Sequence, residues 1–226
     1  MKPVVVKLGG SLAETGRLKS ILCLVSQAER PVVIVPGGGA YADAVRDSQR
    51  ALGFSDGAAH DMAILAMNQM GLAMISLDER LMAAETLMAM RQAQRKGRIA
   101  VWLPAKLCSS DRTIPRDWSI TSDGLAARLA ERLGGAHVVL VKSCTVAPSA
   151  TAQALGRAGV VDTAFAGIVA RAGLSWQIVG PGEESVLAEL LGIPGNGPKK
   201  GSANKAAAWR STRRPHHARP QEKSPR

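Results

Sequence analysis

Near the start of the chain an apolar run ends in a cation and two residues without side chains: Val4-Val5-Val6-Lys7-Leu8-Gly9-Gly10-Ser11. A second apolar run, Val32 to Val35, ends in Pro36-Gly37-Gly38-Gly39. Glycine lets the backbone turn sharply and present its N–H groups to phosphate oxygens. A helix that begins at such a turn adds a partial positive charge. Two cradles of this kind imply two phosphate-bearing ligands. Lys7 is costly in an apolar strand unless it points toward a charge or snorkels to solvent; in the first case it reaches the same phosphate as the Gly9 and Gly10 amides. A third constellation, Thr121-Ser122-Asp123, stands before another helical stretch. Asp123 is either an ordinary helix cap or a carboxylate that orients Lys7 or a magnesium ion. Neither glycine stretch has the spacing of a P-loop or of the Gly-x-Gly-x-x-Gly dinucleotide turn.

The elements that must position these residues follow from hydrophobic periodicity. Short, β-branched runs at Val4–Lys7, Val32–Val35, Ile99–Leu103, Val138–Val141 and Gln177–Val179 read as strands buried on both faces, the mark of a parallel sheet. Helical patterns occupy Arg17–Ala28, Ala40–Leu52, Ala58–Ile75, Asp78–Gln94, Gly124–Leu133, Thr163–Ala172 and Glu183–Leu191. The alternation predicts an α/β fold: a three-layer αβα sandwich around a mainly parallel sheet, with right-handed crossovers. Ligands of such sheets bind beyond the carboxyl ends of the strands, where both glycine turns fall. Met62, Met67, Met70 and Met74, spaced by three to five residues, read as core packing of one long helix.

Composition bounds the rest. The chain has 226 residues, 46% hydrophobic and 21% charged, enough for a sizeable core. Cys23, Cys108 and Cys144 are too scattered for a disulfide framework or a metal site and are expected to be reduced and mostly buried. No apolar run reaches the roughly 18 residues of a membrane span, and the first apolar run stops at Lys7, so the expected location is cytoplasmic. Of the net charge of +11, most lies in residues 195–226, which hold nine lysines and arginines against one acid, Glu222. That stretch has four prolines and, among large apolar residues, little besides Trp209, so it is expected to be a disordered, basic tail beside a domain of residues 1–194. Contact with nucleic acid through the tail is conceivable but not favoured over a solubilising role.

Lys-Leu-Gly-Gly-Ser at Lys7–Ser11, Pro-Gly-Gly-Gly at Pro36–Gly39 and Thr-Ser-Asp at Thr121–Asp123, in that order, resemble the amino acid kinase family, which includes acetylglutamate, carbamate, uridylate and isopentenyl phosphate kinases. The resemblance covers residues 4–191. It implies an αβα sandwich that lays ATP and a small acceptor end to end across the carboxyl edge of the sheet, and an assembly of dimers or hexamers. By that resemblance Lys7, Gly9, Gly10 and Ser11 hold the transferring phosphate, Gly37, Gly38 and Gly39 hold the acceptor, and Asp123 organises the cations, Mg²⁺ among them. Within the family, "SDGAAHDMAILAMNQMG" and "GVVDTAF" look most like the archaeal-type kinases of (aminomethyl)furanylmethyl phosphate, which serve methanofuran synthesis and tetrahydromethanopterin-linked one-carbon metabolism.

The chain also departs from the family. Where many members carry an acidic Thr-Asp-Val-Asp-Gly loop, it reads Val141-Lys142-Ser143-Cys144-Thr145-Val146, and the usual later Gly-Gly-Met…Lys segment is not visible. Lys142 either replaces that later lysine at the ATP phosphates, with Ser143 beside it, or is a solvent-facing strand end. Arg46 and His60 are expected at the acceptor, and Asp61 or Asp162 as counter-charge for an aminomethyl group. The expected activity is transfer of the ATP γ-phosphoryl group to a phosphate-bearing acceptor. The alternatives are a carboxylate acceptor, a catalytically silent nucleotide- or oxyanion-binding protein, and a nucleic-acid-associated protein acting through its tail. Removal of residues 195–226 is expected to leave the melting temperature and any phosphoryl transfer nearly unchanged, since a polar, proline-rich stretch contributes little to a core; calorimetry and turnover of the shortened chain check this.

Overall fold

Successive residues of the central strands point into two different cores. Val5, Val33, Val35, Ala100, Trp102, Val138 and Leu140 belong to one apolar cluster, whereas Val4, Val6, Leu8, Ile34, Val101, Val139 and Val141 belong to the other. A sheet with apolar residues on both faces must be covered twice, which gives three layers. The computed structural model describes residues 2–194 and has this arrangement; the expected tail lies outside the described residues.

Six strands, β1 (Val4–Leu8), β2 (Val32–Pro36), β3 (Leu81–Ala84), β4 (Ile99–Trp102), β5 (His137–Val141) and β6 (Trp176–Val179), form one parallel sheet in the order β3-β4-β2-β1-β5-β6. The helices are α1 (Ser11–Glu14), α2 (Leu18–Val25), α3 (Gly39–Leu52), α4 (Asp56–Ile75), α5 (Leu87–Arg95), α6 (Ala105–Ser109), α7 (Ser122–Arg132), α8 (Ala152–Arg157), α9 (Thr163–Arg171) and α10 (Glu184–Leu190). Ile21 and Leu22 of α2 and Leu187 of α10 cover one face. Leu125 and Leu129 of α7, Leu155 of α8 and Phe165 of α9 cover the other. The chain therefore leaves β1 toward one face and β5 toward the opposite face, although the two strands are hydrogen-bonded neighbours. Their carboxyl ends flank the crevice where such sheets bind ligands.

The structure departs from sequence expectation in places. Asp78–Gln94 reads as one helix from its alanines, leucines and methionines, yet it divides into edge strand β3 and helix α5. Pairing of Leu81–Ala84 with β4 overrides intrinsic propensity there, and Thr86 caps α5 by accepting from the Ala89 N–H. The short helices α1, α6 and α8 carry too few turns for a periodic signal. Met67, Met70 and Met74 are buried as expected, but Met62 is exposed. Two of the three thiols, Cys23 and Cys144, are exposed rather than buried. Among the described residues no helix is long and apolar enough to cross a membrane.

An ion cluster ties the α6–α7 connection to α7. Asp111 lies 2.8 Å from Arg128 and 3.5 Å from Arg132. Burial alone would raise the Asp111 carboxyl, but hydrogen bonds from Arg128 and Thr113 and the Arg128 charge bring it down from 3.8 to about 2. A carboxyl depressed in the folded state stabilises the fold above its unfolded value, and that stabilisation is lost as pH falls through the folded one. Between pH 4 and pH 2 Asp111 is thus expected to remove on the order of 1–2 kcal/mol of stability, a loss that Asp111→Asn should largely abolish in denaturant titrations across that range.

Candidate active site

Strand parity brings the two lysines together. Lys7 shares the face of Val5, and Lys142, just past β5, shares the face of Leu140; α7 covers this face and carries Asp123 in its first turn. The Lys7 Nζ lies 2.8 Å from Asp123 Oδ1 and the Lys142 Nζ 2.6 Å from Oδ2. Lys142 Nζ also donates to the Val160 carbonyl at 2.7 Å. Lys7 is 5% exposed and Asp123 4%. Burial opposes ionisation of Asp123, but the charges and hydrogen bonds of the two lysines outweigh it and hold the carboxyl below its ordinary value. Burial and the charge of Lys7 push the Lys142 ammonium down, with Asp123 opposing. Two ammonium groups share one carboxylate in a place that water hardly reaches, and the buried Asp162 carboxyl lies near enough to favour the Lys142 ammonium.

The glycine turns lie directly beside this triad. A Cβ on Gly9 would sit 3.8 Å from the Lys7 Nζ. The two turns touch each other backbone to backbone: a Cβ on Gly10 would stand 2.2 Å from the Gly39 nitrogen, and one on Gly37 2.6 Å from the Gly10 nitrogen. Gly39 is left-handed (φ 53°). What the sequence presents as two cradles is one continuous surface. Not every amide in it is free. Gly9 donates to the Val141 carbonyl at 3.1 Å and Gly37 to the Leu8 carbonyl at 2.8 Å, so these two N–H groups serve the fold rather than a ligand. Gly10 and Gly38 donate to no backbone acceptor among the described residues, and Ser11 and Gly39 begin helices, where N–H groups lack intrahelical partners. Across the crevice the Ser11 and Ser143 hydroxyls meet at 3.0 Å.

A cavity of about 270 Å³ opens on the β2 side of this surface. Gly10, Ser11 and Gly37–Gly39 form one side, Arg46 and His60 another, and Ile64, Met67 and Leu125 an apolar wall. The N-terminus of α3 supplies positive potential. The Arg46 guanidinium stacks 4.3 Å over the Trp118 ring and lies 2.9 Å from Asp43. His60 is buried, and its Nδ1 donates to the Asp117 carbonyl at 3.1 Å, which leaves Nε2 as its remaining polar atom. The site thus offers two buried ammonium groups, free amides and an adjoining pocket with both apolar and charged walls.

Lys7, Asp123, Lys142, Gly9, Gly10, Ser11 and Ser143 come together at the β1/β5 crevice, and Gly37–Gly39, Arg46 and His60 at the adjoining cavity. Some expected roles change. Asp123 is not the cap of α7, whose N-cap is Thr121. Both its oxygens face ammonium groups, so it does not suit direct coordination of Mg²⁺, and among the described residues no cluster of three or more ligating side chains could hold a metal. Asp162 does not line this cavity: it accepts from Thr121, Gly124 and Phe165 at the starts of α7 and α9. Asp61 is paired with Arg116 beside a neighbouring cavity. The carboxylates that do line the cavity, Glu14 and Asp43, were not legible in the sequence, nor was Trp118. Trp118 lies in an irregular loop without periodicity. Gly124 carried a signal in the Asp123-Gly124 pair, because a Cβ there would lie 2.6 Å from Asp162 Oδ1.

The amino acid kinase family model matches residues 2–144. The chain is 31% identical over 138 residues to [5-(aminomethyl)furan-3-yl]methyl phosphate kinase of Methanocaldococcus jannaschii; the match spans 60% of this chain and 63% of that protein. Uridylate kinase of Archaeoglobus fulgidus has the same fold, with a TM-score of 0.62 and 20% identity over 85% of this chain and 96% of its own. Carbamate kinase of Giardia lamblia bound to AMP-PNP aligns over the same shares with a TM-score of 0.53 and 13% identity.

Two substitutions test the geometry without reference to activity. Gly10→Ala is expected to destabilise by several kcal/mol, because its Cβ would meet backbone rather than a movable side chain. Asp123→Asn leaves two lysines facing each other and is expected to cost about 3 kcal/mol near neutral pH. Denaturant titration reads both.

Proposed function

The chain belongs to the amino acid kinase family, and from that premise we propose that it transfers the γ-phosphoryl group of ATP to a small acceptor that already carries a phosphate. The observation that carries this reading is the buried Lys7–Asp123–Lys142 triad, with its two ammonium groups, beside the joined glycine turns. Phosphoryl transfer asks for positioning and for charge stabilisation on the moving group. Lys7 and Lys142 stabilise the equatorial oxygens, the Gly10 and Ser11 amides bind them, and Asp123 keeps both cations in place. Lys142 in this role stands in for the lysine that other members carry later in the chain. The acceptor phosphate lies at the start of α3, between the Gly38 and Gly39 amides and Arg46, and an oxygen of it attacks in line. Because that oxygen is already an anion, no general base is needed, which suits a His60 pinned to a carbonyl. Magnesium, where it takes part, would arrive on the nucleotide phosphates and not on Asp123.

The acceptor class draws support from the M. jannaschii relative, whose name specifies a methyl phosphate bearing an aminomethylfuran. In this chain the cavity has an apolar wall for a small ring and an acid, Glu14, that forms no ion pair among the described residues. Glu14 replaces Asp61 and Asp162 as the counter-charge for an amine. On this reading the protein works in methanofuran-linked one-carbon metabolism, in the cytoplasm. Met62, Leu65 and Leu72 form an exposed apolar stripe along α4, which supports a homo-oligomer.

Lys7→Ala is expected to lower turnover at least about a hundredfold in a folded protein, since a preorganised cation on the transferring group contributes roughly 3 kcal/mol; near-normal turnover would remove the assignment. Offered with ATP and Mg²⁺, the aminomethylfuran phosphate should be preferred over isopentenyl phosphate, uridylate, acetylglutamate and aspartate, with Arg46→Ala and His60→Ala acting mainly on KM. Preference for acetylglutamate or aspartate would instead establish the carboxylate alternative, and tight ATP binding without turnover a silent member of the family.

A further inference from the structure

The helix that carries Asp123 begins without a cap of its own. Thr121 is the N-cap of α7, yet its side chain makes no capping bond to that helix. A carboxylate from another part of the chain takes its place. Asp162 Oδ2 accepts from the Thr121 N–H at 2.9 Å, the Thr121 hydroxyl at 2.9 Å and the Gly124 N–H at 2.7 Å. The other oxygen, Oδ1, caps α9 by accepting from the Phe165 N–H at 3.0 Å. Gly124 allows this approach because any Cβ there would collide with Asp162. Two residues before Asp162, the Val160 carbonyl accepts from the Lys142 Nζ at 2.7 Å. One short segment, 160–162, therefore holds the second lysine and the helix start that presents its partner carboxylate.

We propose that Asp162 is a positioning residue: through the first turn of α7 and the adjoining Val160 carbonyl, it keeps Asp123 and Lys142 in the single arrangement that phosphoryl transfer requires. Its carboxylate neither lines the cavity nor pairs with Lys7; it acts through the start of α7, and its charge favours the Lys142 ammonium directly. A carboxylate that accepts four hydrogen bonds is more than a single cap requires, and it stabilises two helix starts in a fixed mutual geometry. Only the kinetic consequence rests on the kinase reading above. The geometric consequence stands apart from it.

The experiment compares Asp162→Ala and Asp162→Asn with the unaltered full chain, below the melting temperature of each. Asp162→Ala should lower kcat by about ten- to a hundredfold, as expected for a displaced catalytic group, while KM for ATP and acceptor changes less than about threefold. Asp162→Asn, which retains one acceptor oxygen, should fall between. In parallel, acylation of Lys142 by a small amine-reactive ester, followed by mass spectrometry, should accelerate at least about threefold more in Asp162→Ala than in Asp162→Asn, because both variants remove the charge that favours the Lys142 ammonium but only Ala also releases the helix start that fixes its partners. Equal Lys142 labelling in folded Asp162→Ala and Asp162→Asn proteins would overturn the proposal, as would unchanged kcat in Asp162→Ala of a chain whose unaltered form transfers phosphate. If the unaltered protein transfers phosphate to no acceptor, the functional reading fails and the labelling alone decides the positioning.

Discussion

A single carboxylate held between two ammonium groups, nearly sealed from water, is the interaction on which the rest of this molecule depends. Charges so buried are expensive, and such a cluster is not one that stability alone would favour. The fold supports it from three directions. The sheet presents Lys7, the end of the neighbouring strand presents Lys142, and the helix above presents Asp123. Each group is held by backbone whose place is set by packing elsewhere, so the charge remains concentrated where the strands end.

The topology explains why a ligand can approach that charge. β1 and β5 are neighbours in the sheet, but the chain leaves them toward opposite faces. The Ser11–Ser143 contact bridges the resulting crevice, and the two glycine turns pack against each other beside it. Because those turns pack against each other without side chains between them, the amides beside the triad and those at the start of α3 lie in one surface. Two phosphate groups bound there would be neighbours, which is the arrangement that transfer between them requires.

Segments far apart in the chain sustain this arrangement by supplying backbone partners. Arg17 donates to the Lys142 carbonyl at 3.2 Å and pairs with Glu184 at 2.6 Å, tying the end of β5 to α10. The turn at residues 160–162 anchors the opposite side of Lys142. The cluster around Asp111 braces α7 farther along its length. The site is thus built on strand ends and helix starts, which hold groups more firmly than a free loop would.

Much of this was legible in the chain itself. Continuous apolar runs specify strands buried on both faces, because a strand exposed on one face would alternate with polar residues. Glycine pairs at the ends of such strands specify close backbone approach, since no other residue permits it. A lysine inside an apolar strand specifies a buried charge in need of a partner. These local signals singled out Lys7, Gly10, Gly39 and Asp123. What the sequence could not contain was the partner of each group. Asp123 reads equally as a cap, a metal ligand or a counter-ion until α7 is laid across the face shared by Val5 and Leu140, where both lysines meet it. Asp162 reads as a counter-charge for an aminomethyl group and instead caps a helix that starts forty residues earlier in the chain. Trp118 and Glu14 join the cavity only because a loop and a short helix converge on α3. Tertiary structure decided these matters because pairing depends on distance in space, and local sequence encodes conformation along the chain, not which distant segments come into contact.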